Sequence, residues 1–243
     1  MVTYKEKEYR KRIEPEGLIS FHVIIKETDL WVSADRELEK ETRDITFNYR
    51  RQIETYIKSH PDFLTTLLPY PEDPYAPPIV KEMIHTAKDI GIGPMASVAG
   101  AIAQFAAKDL LEHSDQVIVE NGGDIFLKVT RPATVSIFAG ESPLSEKIGI
   151  QISTGQMPLG VCSSSGTVGH SLSLGVADVV TLLAPSSAIL ADGAATALGN
   201  LVKNQNDLKT IAAQAAKITG ISGGVAIMGD RMTAWGEVKL VRL

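Results

Sequence analysis

Two helix-forming stretches of this chain carry almost no side-chain bulk, and that restricts its folds more than any other feature. The first follows Pro94 and contains Ala96, Ser97, Ala99, Gly100, Ala101, Ala103, Ala106 and Ala107. The second, residues 188–198, reads Ala-Ile-Leu-Ala-Asp-Gly-Ala-Ala-Thr-Ala-Leu. An ordinary surface helix shows a Leu or Ile stripe, whereas tiny residues let a second backbone come close. Both stretches are therefore expected to be buried and tightly packed.

Asp192 lies inside the second stretch and is its only ionisable residue. An ionised carboxylate is too costly to bury without a cation or several hydrogen-bond donors. Thr196 follows four residues on, which puts its hydroxyl on the same helical face. One reading gives the pair to Mg²⁺ or Ca²⁺ as two hard oxygens, with waters, a carbonyl and a phosphate completing the shell. The other lets Asp192 accept backbone N–H groups from a neighbouring loop while Thr196 bonds its own preceding turn.

Three further clusters carry polar groups. Glu120-Asn121-Gly122-Gly123-Asp124 sits between two strand-like runs. Paired glycines allow positive φ and close approach to a ligand, and they equally specify a plain hairpin. The loop Gly91-Ile-Gly93-Pro-Met-Ala96-Ser97 feeds the first small-residue helix, whose free N–H groups suit a phosphate. Its spacing is not Gly-x-Gly-x-x-Gly. Ser163, Ser164, Ser165, Gly166, Thr167 and His170 gather hydroxyls and one imidazole, but without the nucleophile-elbow pattern. A Ser-Gly turn explains the same letters.

The remaining chain reads as sheets flanked by helices. Residues 18–34 form a hairpin of two strands with a polar turn, and Asp35 is placed to cap a helix running to Ile57. Prolines 61, 69, 71, 74, 77 and 78 make residues 60–78 an extended connector or lid. Helices are predicted over 79–90, 94–113, 186–203 and 207–219, and strands over 116–120, 124–129, 134–139, 147–152, 175–184, 225–228, 232–234 and 237–241. Residues 162–167 read as a Ser-rich turn. With no repeat and no linker, a single domain over 1–243 is the economical expectation, of α+β class with antiparallel or mixed sheets.

The chain has 243 residues, a formal net charge of −5 and one cysteine, Cys162. The acidic balance disfavours broad electrostatic binding to nucleic acid or an anionic membrane. One cysteine allows neither an internal disulfide nor a cysteine metal cluster. The charged N-terminus and the lack of a membrane-length apolar run give the expectation of a cytoplasmic protein.

Taken in order, these motifs resemble the ApbE-type flavin transferases, whose members move FMN from FAD onto a protein threonine using Mg²⁺. Gly93-Pro-Met-Ala96-Ser97 and its helix resemble that family's Gly-x-x-Ala-Lys-Gly loop, and residues 119–125 resemble its Asn-x-Gly-Gly-Asp-Ile turn. Ser164-Ser165-Gly166 with His170 resembles its Thr-Ser-Gly and downstream His. The run 180–184 leading into 191–198 resembles the strand and Ala-Asp-Ala-x-x-Thr-Ala-Leu helix that holds the metal. The similarity spans about residues 90–203.

The resemblance implies an α+β fold related to T-fold architecture, with metal ligands at Asp192, Thr196 and the carbonyl of Ala96. It implies cofactor contacts at Gly93, Ser97, Asn121, Gly122, Gly123, Asp124, Ser164, Ser165, Gly166 and His170, and catalytic roles for His170 and Asp192. FAD or FMN and an acceptor protein follow as ligand and partner, and the tiny residues also suit close packing in a homodimer. Ser97 stands where that family has lysine, and Val98 where it has the following glycine. The expected function is thus flavin-nucleotide binding with Mg²⁺-dependent FMN transfer. The alternatives are a non-catalytic flavin carrier and a structural or assembly protein.

Overall fold

The computed structural model describes residues 17–166 and 174–243. Strands β1 (Ile19–Ile25) and β2 (Thr28–Ala34) form the expected hairpin, followed by helix α1 (Glu39–Ser59). A short helix α2 (Asp62–Thr65) interrupts the proline-rich segment, and α3 (Pro78–Ile90) ends at Gly91. Gly91 takes φ 84°, so the amides of Gly91 and Ile92 both return to Ala87 O. That left-handed closure is the stop signal that glycine supplies most cheaply.

A 3₁₀ turn (Pro94–Ser97) then leads into α4 (Val98–Leu110). Four strands follow, β3 (Val117–Asn121), β4 (Asp124–Lys128), β5 (Ala133–Ser136) and β6 (Ile148–Ile152), and then β7 (Leu159–Ser164) and β8 (Val179–Pro185). Helices α5 (Ala188–Leu201) and α6 (Leu208–Ala215) precede β9 (Gly223–Met228), β10 (Arg231–Gly236) and β11 (Lys239–Arg242).

The strands form an eight-stranded sheet ordered β1-β2-β3-β4-β7-β8-β9-β10 and a three-stranded sheet ordered β11-β6-β5. Every pairing among the described residues is antiparallel, which settles the mixed-or-antiparallel alternative. Alternation along the central strands feeds two cores. On β3 and β4, Val117, Val119 and Phe126 face the helices, while Ile118, Ile125 and Leu127 pack toward Val135, Ile150 and Ile152 of the small sheet. Both faces of the large sheet are thus covered, and its inner strands read as continuous apolar runs.

Three expectations need correction. Asp35 does not cap α1, whose N-cap position is Leu38 without a side-chain bond. Its carboxylate instead accepts from Ser114 Oγ, Gln116 N and Gln116 Nε2 at 2.9, 3.0 and 2.8 Å, tying the end of β2 to the start of β3. Cys162, Ser163 and Ser164 lie in β7, not in a turn, because β7 pairs with both β4 and β8 and the ladder overrides local turn preference. The single helix expected over 94–113 begins as a 3₁₀ turn, with Ser97 Oγ bonded back to Pro94 O at 2.9 Å.

Among the described residues, no single helix is long and apolar enough to cross a membrane. The small residues of α4 and α5 do what their size suggested. A Cβ on Gly100 would collide with Ala188 O and lie 2.8 Å from Asp192 Cβ, and one on Gly160 of β7 would lie 2.5 Å from Ser187 O and Ala188 Cα. The start of α5 is therefore wedged between α4 and β7. Helix propensity alone would favour Gly100→Ala by roughly 1 kcal/mol, yet overpacking costs ~1–3 kcal/mol. We expect G100A to be net destabilising, measured as a lower urea midpoint with an unchanged slope.

Candidate functional site

The site is set by how α5 meets α4. The first amides of any helix lack intrahelical acceptors and need outside partners. Ser187 caps α5 locally by accepting Leu190 N at 3.1 Å. Gln104 of α4 adds a bond across the interface, accepting Ile189 N at 3.4 Å while its Nε2 donates to Glu82 at 3.0 Å. In the opposite direction Asp192 of α5 accepts Gly100 N at 2.8 Å and also takes a bond from Ala99 N. Each helix thus terminates the other, and an anion at the positive end of α4 is favoured by the helix dipole.

Asp192 is 7% exposed. Burial, and secondly the charge of Asp124, hold its carboxyl well above the usual range, while the Gly100 and Ala99 amides pull the other way. Cys162 lies beside both carboxyls and donates Sγ–H to Ala188 O at 3.3 Å. Burial first, then Asp124 and Asp192, push its thiol up, which fits a packed, unreactive side chain.

The hairpin between β3 and β4 brings Asn121 and Asp124 to the same place. Gly122 and Gly123 form its two-residue turn with φ 68° and 111°, a geometry that disfavours residues bearing Cβ. Protein atoms do not crowd either position, since a Cβ would meet nothing within 4 Å. The glycines serve the turn, and the space above them is open. Asn121 Nδ2 donates to Ala99 O at 3.1 Å, and Asp124 Oδ1 accepts Ser163 N at 3.3 Å. The hairpin is therefore pinned on one side to the start of α4 and on the other to β7.

Other expected site residues fall around this junction. Thr196 is half-buried one turn beyond Asp192, and Ala96 is half-buried in the 3₁₀ turn. Ser97 is 1% exposed and sits against Gly193 of α5, with its hydroxyl donating to Pro94 O at 2.9 Å. Gly93 is buried against residues 66 and 67. Ser164 ends β7 beside Gly199 of α5, and Gly166 donates its amide to Ala177 O at 2.9 Å. Ser165 is half-buried, and His170 lies outside the described residues.

Sequence reasoning missed Gln104, which occupies a helix described above only by its small residues. Its signal was a lone amide within an apolar, small-residue run. It also missed that Asp124 would lie close enough for its charge to act on Asp192, because residue spacing carries no information on which distant segments come together.

Among the described residues, no three His, Cys, Asp or Glu side chains gather to hold a metal. A cation here would rely on one carboxylate, a hydroxyl, a backbone carbonyl and water, a donor set of hard oxygens that fits Mg²⁺. The raised carboxyl of Asp192 is consistent with that fit, because a divalent cation would offset both burial and the charge of Asp124.

Solved structures that share the fold include two ApbE proteins. The apo form of the Pseudomonas stutzeri flavinyl transferase ApbE aligns with TM-score 0.59 at 14% identity, covering 90% of this chain and 94% of that one. A point mutant of the flavin transferase ApbE from Vibrio cholerae aligns with TM-score 0.57 at 13% identity, covering 90% and 97%. The architecture is that of the ApbE-type α+β proteins.

A family model described as "AbpE bacteria" matches residues 10–222, and the chain belongs to that family. Its relatives include a UPF0280 protein of Methanothrix thermoacetophila, 45% identical over 196 residues covering 79% of this chain and 81% of that protein. Another is a UPF0280 protein of Methanocaldococcus jannaschii, 37% identical over 222 residues covering 89% and 90%.

The carboxyl of Asp192 makes the site pH-sensitive. A carboxyl raised on folding contributes stability below its unfolded pKa of about 4, and that contribution is lost as pH rises through the folded value. Without divalent ions, wild-type melting temperature should therefore fall relative to Asp192→Asn as pH rises above about 4. Added Mg²⁺ should raise the wild-type melting temperature and leave D192N unmoved, as read by scanning calorimetry.

Proposed function

We propose that this chain binds a flavin nucleotide beside the 3₁₀ turn before α4, the 121–124 hairpin and α5, and transfers FMN from FAD to a protein acceptor. The observation that carries this reading is the convergence of Asp192, the start of α4 and the 121–124 hairpin in one buried junction. The fold shared with flavin transferases supports it.

The reaction breaks one P–O bond of the FAD pyrophosphate and forms one to the acceptor hydroxyl, which gives up its proton as AMP leaves. Asp192, Thr196 and the Ala96 carbonyl would hold Mg²⁺. When bound, the ion neutralises charge developing on the pyrophosphate. Gly122 and Gly123 leave room for the nucleotide backbone above their turn. Asn121 and Asp124 keep that turn in register with α4 and β7 through their bonds to Ala99 O and Ser163 N. Ser164, which lies beside Gly199 of α5, would orient phosphate or acceptor together with Ser165, Gly166 and His170.

A non-catalytic flavin carrier is the second reading, and one observation favours it. The position where ApbE-type proteins carry lysine is Ser97 here, with its hydroxyl turned into the protein. Titration of purified protein with FAD, with and without Mg²⁺, separates the two. Metal-dependent AMP release is expected, with D192A abolishing it; binding without AMP release under any metal would assign the chain as a carrier. Absence of flavin binding would reject both.

A further inference from the structure

The groups assigned above to a cation stand on two different helices. The Ala96 carbonyl belongs to the turn that leads into α4, while Asp192 and Thr196 belong to α5. The spacing of those oxygens is therefore set by how α5 is registered on α4. Two side-chain bonds hold that register. In one, Asp192 accepts Gly100 N at 2.8 Å; in the other, Gln104 accepts Ile189 N at 3.4 Å. Gly100 and Gln104 lie one turn apart on α4, and Ile189 and Asp192 nearly one turn apart on α5, so each helix is fastened at two points on one face. Only the Asp192 bond uses a carboxylate that a cation would also engage.

Gln104 is 2% exposed, and most of its neighbours along α4 are apolar or tiny. A buried amide is costly unless both of its ends are satisfied. Here a single orientation satisfies both. Ile189 N can only donate and the Glu82 carboxylate can only accept, so Oε1 faces α5 and Nε2 faces Glu82 at 3.0 Å. Turned over, the amide would set donor against donor and oxygen against oxygen. Glu82 belongs to α3, so its carboxylate decides which way Gln104 points, and one side chain ties three helices together.

We propose that Gln104, oriented by Glu82, is a positioning residue that holds the α4 and α5 oxygens at the spacing a small, hard cation requires. This rests on the metal-assisted reading above. Mg²⁺ needs near-octahedral oxygens at about 2.0–2.1 Å, whereas Ca²⁺ accepts irregular shells at about 2.3–2.6 Å. Loss of register therefore penalises the smaller ion more. Leucine at position 104 fills a similar volume but leaves Ile189 N without its acceptor. Groups outside the ligand shell commonly alter metal affinity by roughly 10–100-fold.

The test titrates the flavin-free protein with Mg²⁺ and with Ca²⁺ by calorimetry, with the melting temperature of every variant recorded beside it. Gln104→Leu should weaken Mg²⁺ binding about tenfold and Ca²⁺ binding less than about threefold. The exchanged pair Glu82→Gln/Gln104→Glu rebuilds both bonds with donor and acceptor reversed between positions 82 and 104, and should return Mg²⁺ affinity to near wild type. Ile150→Val, in the core under the small sheet, serves as a destabilised control that touches neither helix and should leave both affinities unchanged. Wild-type Mg²⁺ affinity in Gln104→Leu, with only its melting temperature lowered, overturns the proposal and leaves Gln104 as a structural cap for α5. Equal losses for the two ions, or an exchanged pair that recovers nothing, overturn it as well. Wild type that binds neither ion overturns the metal reading and the positioning role together.

Discussion

The bond from Gly100 N to Asp192 is the constraint on which the rest of the junction depends. It joins residues 92 apart in sequence and lies where two helices are too close for any Cβ at position 100. Its carboxylate satisfies amides at the start of α4, which hydrogen bonding within the helix leaves unpaired. Gln104 returns the favour at the start of α5. Two helix ends that would each be a liability when buried therefore terminate one another.

The arrangement is stable in geometry and strained in electrostatics. Asp192 is nearly dry, and Asp124 stands close enough to raise its pKa further. Two backbone amides only partly offset the cost of keeping that carboxylate charged. Strongly perturbed carboxyls of this kind cluster at functional sites. A cation site and a helix-terminating role are compatible here, because a carboxylate has two oxygens and several lone-pair directions.

The same junction explains why the surrounding sequence is so poor in bulk. Gly160 clears room for the start of α5, Gly193 lies against Ser97, and Gly199 lies against Ser164. The helix is thus wedged along its length between α4 and the end of β7. Beside this centre the hairpin turn is held by its bonds to Ala99 O and Ser163 N, and the proline-rich segment lies on Gly93. Close packing at the centre and anchored loops at the rim are the division of labour expected of a preorganised site.

Much of this was legible in the letters. Tiny residues in helical register announced close approach, the apolar run around Asp192 announced a buried charge that needs partners, and Gly122-Gly123 and Gly91 announced a turn and a helix stop. These features are local, and their physics is carried by a few adjoining residues. The sequence could not say which donors would meet Asp192, that the charge of Asp124 would act on it, that residues 162–164 would be drawn into the sheet centre, or that Asp35 would leave its helix for Ser114 and Gln116. Each of those depends on chain segments far apart in sequence, brought together only by sheet order and by how closely two helices can pack.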